Sequence, residues 1–221
     1  MSVYRSREHL GTMRSNDTEH YRWLEFIAGF LLLTAGVASA WNSYQAERWS
    51  GVQATRYNRA NALRIDAARA SAEADSMREI DVVAFSGWLD AYAAGNKPLE
   101  RFYRERFPAK FRPAFNKWFA AHPMKTPGSA PTPFLLPEYQ LESEERATKL
   151  EAEAVQAFSE GQVANEHSDA YVLNSVVLAL VLLFAGISNQ FNSPIVKVAL
   201  LCIAIALGAV AFSRIATYPV Q

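Results

Sequence analysis

Apolar residues along this chain are bunched into three stretches: Leu24–Ala40 (LEFIAGFLLLTAGVASA), Tyr171–Ser188 (YVLNSVVLALVLLFAGIS) and Ile195–Phe212 (IVKVALLCIAIALGAVAF). A bilayer core about 30 Å thick takes roughly 17–25 helical residues, so each stretch predicts a membrane-spanning helix. Trp23 and Trp41 bracket the first, and Tyr171 and Tyr218 mark the outer ends of the other two, as interfacial aromatics do. The third is apolar on every face, which fits a lipid-exposed helix better than one of three buried helices in a soluble protein. The polar segment 1–22 ahead of the first stretch favours an anchor over a cleaved leader, although Ala38-Ser39-Ala40 has the small residues of a cleavage site.

Between the first two spans the pattern changes to apolar residues spaced by three and four. Ala60, Leu63, Ala67, Ala70, Ala74 and Met77, then Ala84, Trp88 and Ala91, form one stripe, interrupted at Asp81. Ala147, Leu150, Ala154, Ala157, Gly161 and Ala164 form another. This spacing keeps one helix face toward a partner helix, as in a coiled coil. Eight of the ten prolines fall between Pro98 and Pro137, and residues 41–97 and 138–193 have none. A helix-interior proline costs about 3 kcal/mol, so both flanks are free to be long helices. The expectation is an all-α membrane protein: a cytoplasmic segment 1–22, a span over 23–41, an outgoing arm 42–95, a Pro-rich tip 96–137, a returning arm 138–170, spans over 171–188 and 195–213 joined by 189–194, and a tail 214–221. The two arms make a long antiparallel helical hairpin.

Charge sharpens this picture. The chain of 221 residues has no net charge, which argues against a dedicated nucleic-acid binder. The charge is unevenly spread, however. Residues 41–125 hold fourteen basic and nine acidic groups, and 126–170 hold two and nine, so the arms attract. The alanine-rich seam buries little area, and at about 25 cal/mol per Å² it needs the spans, the tip or a second copy to hold it; self-association is therefore expected. Gly36-xxx-Ala40 and Ala204-xxx-Gly208 are small-xxx-small patterns that add weakly to this. Basic residues near span ends place the N-terminus in the cytoplasm and 42–170 outside it: Arg5, Arg7, Arg14, Arg22 and Lys197 lie on one side, Arg48, Arg56, Arg59 and Arg214 on the other.

In the tip, Pro98–Phe107 and Pro113–Ala121 read as short helices opened by proline. Phe134, Leu135 and Leu136 are expected to close a small core with Phe102, Phe107, Phe111, Phe115, Trp118 and Phe119. The basic residues Arg101, Arg104, Arg106, Lys110, Arg112 and Lys117, with Trp118 among them, form a candidate contact surface for an acidic partner or anionic headgroups. The plainer alternative is a pair of amphipathic helices with solvated basic faces.

Few other residues bear on chemistry. Glu25, in the first turn of the first span, is an intramembrane carboxylate and so a functional candidate; Arg22, one turn back, is its nearest expected partner. Asn174 and Ser175 can bond to a neighbouring helix. Glu166, His167 and Asp169 sit beside the membrane, where His167 can titrate near neutral pH or the carboxylates can take a cation, though neighbouring residues on a helix diverge. One cysteine, Cys202, leaves no internal disulfide, Cys-based zinc site or CxxC pair. Dinucleotide, phosphate-loop, serine-hydrolase and zinc-protease signatures are missing, so neither an enzyme nor a cofactor is expected.

The segments RFYRERFPAKFRPAFNKWFAAHP, PFLLPEYQLE and SDAYVLNSVVLALVLLFAGIS together resemble a loosely defined set of bacterial three-span membrane proteins, from about Trp41 onward. The resemblance implies a bacterial inner-membrane origin and brings no activity, ligand or site residue with it. The expected role is a non-enzymatic scaffold, assembly or accessory subunit that presents its hairpin to a partner; the alternative is a small homo-oligomeric channel or transporter-like protein.

Overall fold

The computed structural model describes residues 8–124, 126, 128–191 and 193–221, with side chains from Trp23 onward. Among these residues the structure is all-helical, with no strand: α1 (Glu8–Ala93), α2 (Lys97–Arg106), α3 (Arg112–Ala120), a 3₁₀ turn (Pro133–Leu135), α4 (Glu142–Ser188) and α5 (Pro194–Thr217). Local chemistry sets the breaks. Gly95 takes a left-handed φ of 66° just past α1, a conformation that favours glycine. The Asn96 side chain then caps α2 by accepting from the Leu99 amide at 3.2 Å. Proline stands in the first turn of α2, α3 and α5, where its missing N–H costs nothing.

Three helices, α1, α4 and α5, carry windows long and apolar enough to cross a membrane, and only 17%, 28% and 28% of those windows is buried. Greasy residues that face outward over most of their surface, such as Phe26, Phe30, Leu33, Val37, Leu173, Val176 and Ile195, need lipid as their solvent. A soluble bundle would hide them.

The chain divides into two compact units. The first combines the described residues up to Arg56 with 160–221. Its core is a narrow seam in which Ala35 and Ala38 of α1, Leu178, Val181 and Ala185 of α4, and Ala204 and Ala211 of α5 are buried together. Buried positions recur at threes and fours, through Lys197, Leu201, Ala204, Gly208 and Ala211 in α5. Small side chains here let helix backbones approach closely, the dominant packing mode within a bilayer.

The same seam continues into polar residues. Asn42 and Gln45 follow Ala38 at the same spacing and are fully buried. The Ser168 hydroxyl donates to the Ala46 carbonyl at 3.0 Å. Asn174 Nδ2 donates to the Ala211 carbonyl at 3.2 Å, joining α4 to α5. The tail is held by three side chains: Trp49 Nε1 and the Tyr171 hydroxyl both donate to the Pro219 carbonyl, at 3.0 and 3.2 Å, and Gln45 exchanges two hydrogen bonds with the Gln221 backbone.

The second unit is residues 57–159. Ala60, Ala67, Ala70 and Ala74 of α1 and Ala154 and Ala157 of α4 are buried, and Leu63, Ala147 and Leu150 are half-buried. Arg78 reaches Glu144 at 2.7 Å and Arg146 reaches Glu73 at 3.1 Å. Tyr57 stacks on Phe158 with ring centroids 5.1 Å apart. Beyond Ala74 the stripe departs from the expected one. Met77 faces outward. The buried line runs through Asp81, Phe85, Trp88 and Ala91, so Asp81 belongs to the stripe and does not interrupt it.

An aromatic core closes this unit. Phe85, Trp88, Phe107, Phe111, Phe115 and Trp118 are buried together, with Phe134 and Tyr139 packed against them. Edge-to-face pairs dominate, for example Trp88 on Phe115 at 4.7 Å and Phe107 on Phe111 at 5.1 Å, the arrangement favoured by ring quadrupoles. Gly87 makes room for a side chain of α2: a Cβ there would lie 2.5 Å from the Tyr103 ring.

Candidate functional site

The elbow between α2 and α3 gathers the most charge with the least compensation. Phe107 and Phe111, which flank this elbow, are buried in the aromatic core. The basic residues that surround them then fall into two groups.

The lysines are neutralised within the chain. Lys97 meets Glu100 at 2.8 Å, Lys110 meets Glu142 at 3.2 Å, and Lys117 is hydrogen-bonded to Glu138. That bond from Lys117 is the main reason the Glu138 carboxyl sits below its usual range, and the bond to Glu100 raises the Lys97 ammonium.

The arginines have no carboxylate partner among the described residues. Arg106 stacks on Phe102, its guanidinium carbon 3.8 Å from the ring centre. Arg104 lies over Phe119 at 5.6 Å. Arg112 spends only its Nε–H, on the Phe107 carbonyl at 2.7 Å. Arg101, Arg104 and Arg112 line one cleft of about 390 Å³, together with Glu105, Phe107 and Asn116. Trp118 corrects the expected contact surface. It is buried, and its Nε1 donates to the Ala130 carbonyl at 2.8 Å, because an indole this large contributes more to the core than to a solvated face.

A second ionisable pair lies at the start of the spans. Lys197 is buried one turn into α5, with its ammonium 3.5 Å from Glu25 Oε1. Glu25 thus has a partner on another helix; the expected one, Arg22, lies outside the residues whose side chains are described. Of the two polar residues at the start of the second span, Asn174 crosses to α5 as described, whereas Ser175 bonds back to the Tyr171 carbonyl at 3.1 Å.

The juxtamembrane cluster does not converge. The His167 ring packs on Trp49 with centroids 4.5 Å apart. Asp169 accepts from Asn165 at 3.0 Å, and Glu166 is exposed. Among the described residues no group of three His, Cys, Asp or Glu side chains has metal-binding geometry.

Asn42 and Gln45 were missed at the sequence level, although a signal was there. The line Ala28, Ala35, Ala38 extends by threes and fours onto Asn42, Gln45 and Trp49, and continuing the count past the end of the apolar run places all three inside. Lys197 carries the same signal, counted back by threes and fours from Ala204 and Leu201, although its partner Glu25 is remote in sequence.

No family model matches the chain, and no curated protein or solved structure is significantly similar to it.

Proposed function

We propose that this protein is a non-enzymatic membrane scaffold or accessory subunit. In this reading three spans anchor it, α1 beyond the first span and the start of α4 form an antiparallel helical hairpin, and the closed end of that hairpin meets a partner. The N-terminus is cytoplasmic and 42–170 extracytoplasmic, in a bacterial inner membrane. The observation that carries the reading is the sorting of charge at the tip, where lysines are ion-paired within the chain while Arg101, Arg104 and Arg112 line one cleft with no ion pair among the described residues. Arg104, over the Phe119 ring, and Arg112, bonded to the Phe107 carbonyl, lose less entropy than free guanidiniums when they meet a ligand.

Self-association belongs to the same proposal. Over the alanine seam of the second unit lies an open groove of about 660 Å³, lined by Ala67, Ala68, Ala147 and Ala152 and flanked by Arg64 and Glu151. A second copy brings the complementary charge to each flank.

Purification in mild detergent tests the reading. A stoichiometric protein is expected to travel with the intact chain and to be lost when Pro98–Pro137 is replaced by a short turn. Saturable ion conductance by the purified chain in liposomes, with no such partner, would overturn it in favour of a channel.

A further inference from the structure

We propose that the cleft between α2 and α3 is a binding site for a phosphate monoester group. The inference rests on the tip being the working end of the molecule, and it names what the tip holds. Arg101 and Arg104 lie one turn apart on α2, so both project to the same side of that helix. Arg112 opens α3 across the cleft, and Asn116 follows it by one turn. Arg112 commits Nε to the Phe107 carbonyl, which fixes the plane of its guanidinium and leaves both terminal nitrogens as donors. The Phe119 ring supports Arg104 from behind.

Stoichiometry and charge select the ligand class. One guanidinium satisfies one carboxylate through two parallel bonds, so three arginines lining one cleft exceed what a carboxylate side chain can use. A phosphate monoester offers three terminal oxygens and a charge near −2 at neutral pH. The cleft offers three positive charges and one negative, from Glu105, a balance of two positive. Its volume of about 390 Å³ also admits the organic group attached to the phosphate, against Phe107 and the Asn116 amide. The phosphate can belong to a soluble ester or to a lipid headgroup, since both present the same atoms.

The test uses the full chain in phosphatidylcholine nanodiscs. Glycerol 3-phosphate is titrated by calorimetry, and phosphatidylcholine vesicles doped with phosphatidic acid are offered in a flotation assay. Saturable binding is expected in at least one arm; binding to vesicles alone assigns the lipid source, and binding to glycerol 3-phosphate assigns the soluble one. Arg101→Gln with Arg104→Gln should weaken binding at least tenfold. Lys110→Gln, which alters a lysine paired outside the cleft, should leave it unchanged. Glu105→Gln should tighten binding roughly three- to fivefold by removing the opposing charge, a gain that misfolding cannot mimic. The proposal fails if neither arm binds, if the double arginine variant binds like the wild type, if succinate binds as tightly as glycerol 3-phosphate, or if Glu105→Gln weakens binding. Partner capture by the wild-type chain separates the two readings: a partner captured while neither arm binds sinks the phosphate site alone, whereas a partner that survives replacement of the tip sinks the scaffold reading.

Discussion

Asp81 keeps a carboxyl group inside a stripe otherwise made of alanine and aromatic side chains. It is 2% exposed; the Tyr139 hydroxyl donates to Oδ2 at 2.9 Å, and Oδ1 has no hydrogen-bond partner. Burial pushes its pKa up, and the Tyr139 bond opposes this only in part. An acid with a folded value above its unfolded one holds its proton more tightly when folded. Its contribution to stability is therefore greatest in acid, falls as pH rises from the ordinary carboxylate range through the folded value, and then levels off. Asp81→Asn keeps the acceptor for Tyr139 and removes the charge. It should stabilise the protein by about 1 kcal/mol or more at neutral pH, with the gain shrinking to nothing below the ordinary carboxylate range. Thermal unfolding followed by tryptophan fluorescence across that range measures this, and a gain that is flat with pH would show that charge is not the cause. The burial of Asp81 was not legible from the sequence, because a charged residue at a stripe position reads as a break unless its partner, here Tyr139 beyond the Pro-rich region, is known. Trp118 reads both ways in the sequence, its basic neighbours pointing to a surface and its dense run of phenylalanines to the core that it joins, whereas Phe102 and Leu135, expected in that core, face outward.

The helices themselves were legible further than their contacts. An all-α chain with three apolar spans follows from runs of hydrophobic residues and from where proline is tolerated, and both are properties of local sequence. The buried alanines of the second unit followed from spacing alone as far as Ala74, and past it the phase was lost at Asp81. The seam makes a sharp prediction about side-chain size. Ala70 and Ala154 are fully buried, so Ala70→Leu or Ala154→Leu should cost about 1–3 kcal/mol by overpacking. Ala72→Leu, at an exposed position of the same helix outside the groove over this seam, should stay within about 0.5 kcal/mol of wild type. Circular dichroism melts of the three variants decide the matter, and three equal costs would mean that the seam is not packed. Gly87 gives a second prediction of this kind. Gly87→Ala has a helix-propensity gain of about 1 kcal/mol in its favour, yet its Cβ meets the Tyr103 ring at 2.5 Å. The substitution should therefore destabilise the wild type and become stabilising in a Tyr103→Ala background. A change of sign between the two backgrounds is the signature of direct contact.

At the scale of the whole molecule, orientation in the membrane turns on very few charges. Cations near span ends set topology, and the N-terminal side leads by five to four. Among the residues whose side chains are described, one on each side is ion-paired: Lys197 with Glu25, and Arg56 with Glu160 at 2.8 Å. By sequence the lead rests on Arg5, Arg7, Arg14 and Arg22, set against Arg48, Arg59 and Arg214. That dependence can be measured. With the exposed Cys202 replaced by serine, Ala120→Cys at the end of α3 should react with a membrane-impermeant thiol reagent in cells whose outer barrier is opened, and Ser2→Cys should react only after the inner membrane is lysed. Changing the four N-terminal arginines to glutamine should erase this asymmetry, because the remaining basic residues then favour the opposite arrangement. Labelling of Ala120→Cys only after lysis in the otherwise unchanged chain would place 42–170 in the cytoplasm. The Arg101, Arg104 and Arg112 cleft would then face cytoplasmic phosphoesters, and its ligand would have to be sought on that side of the membrane.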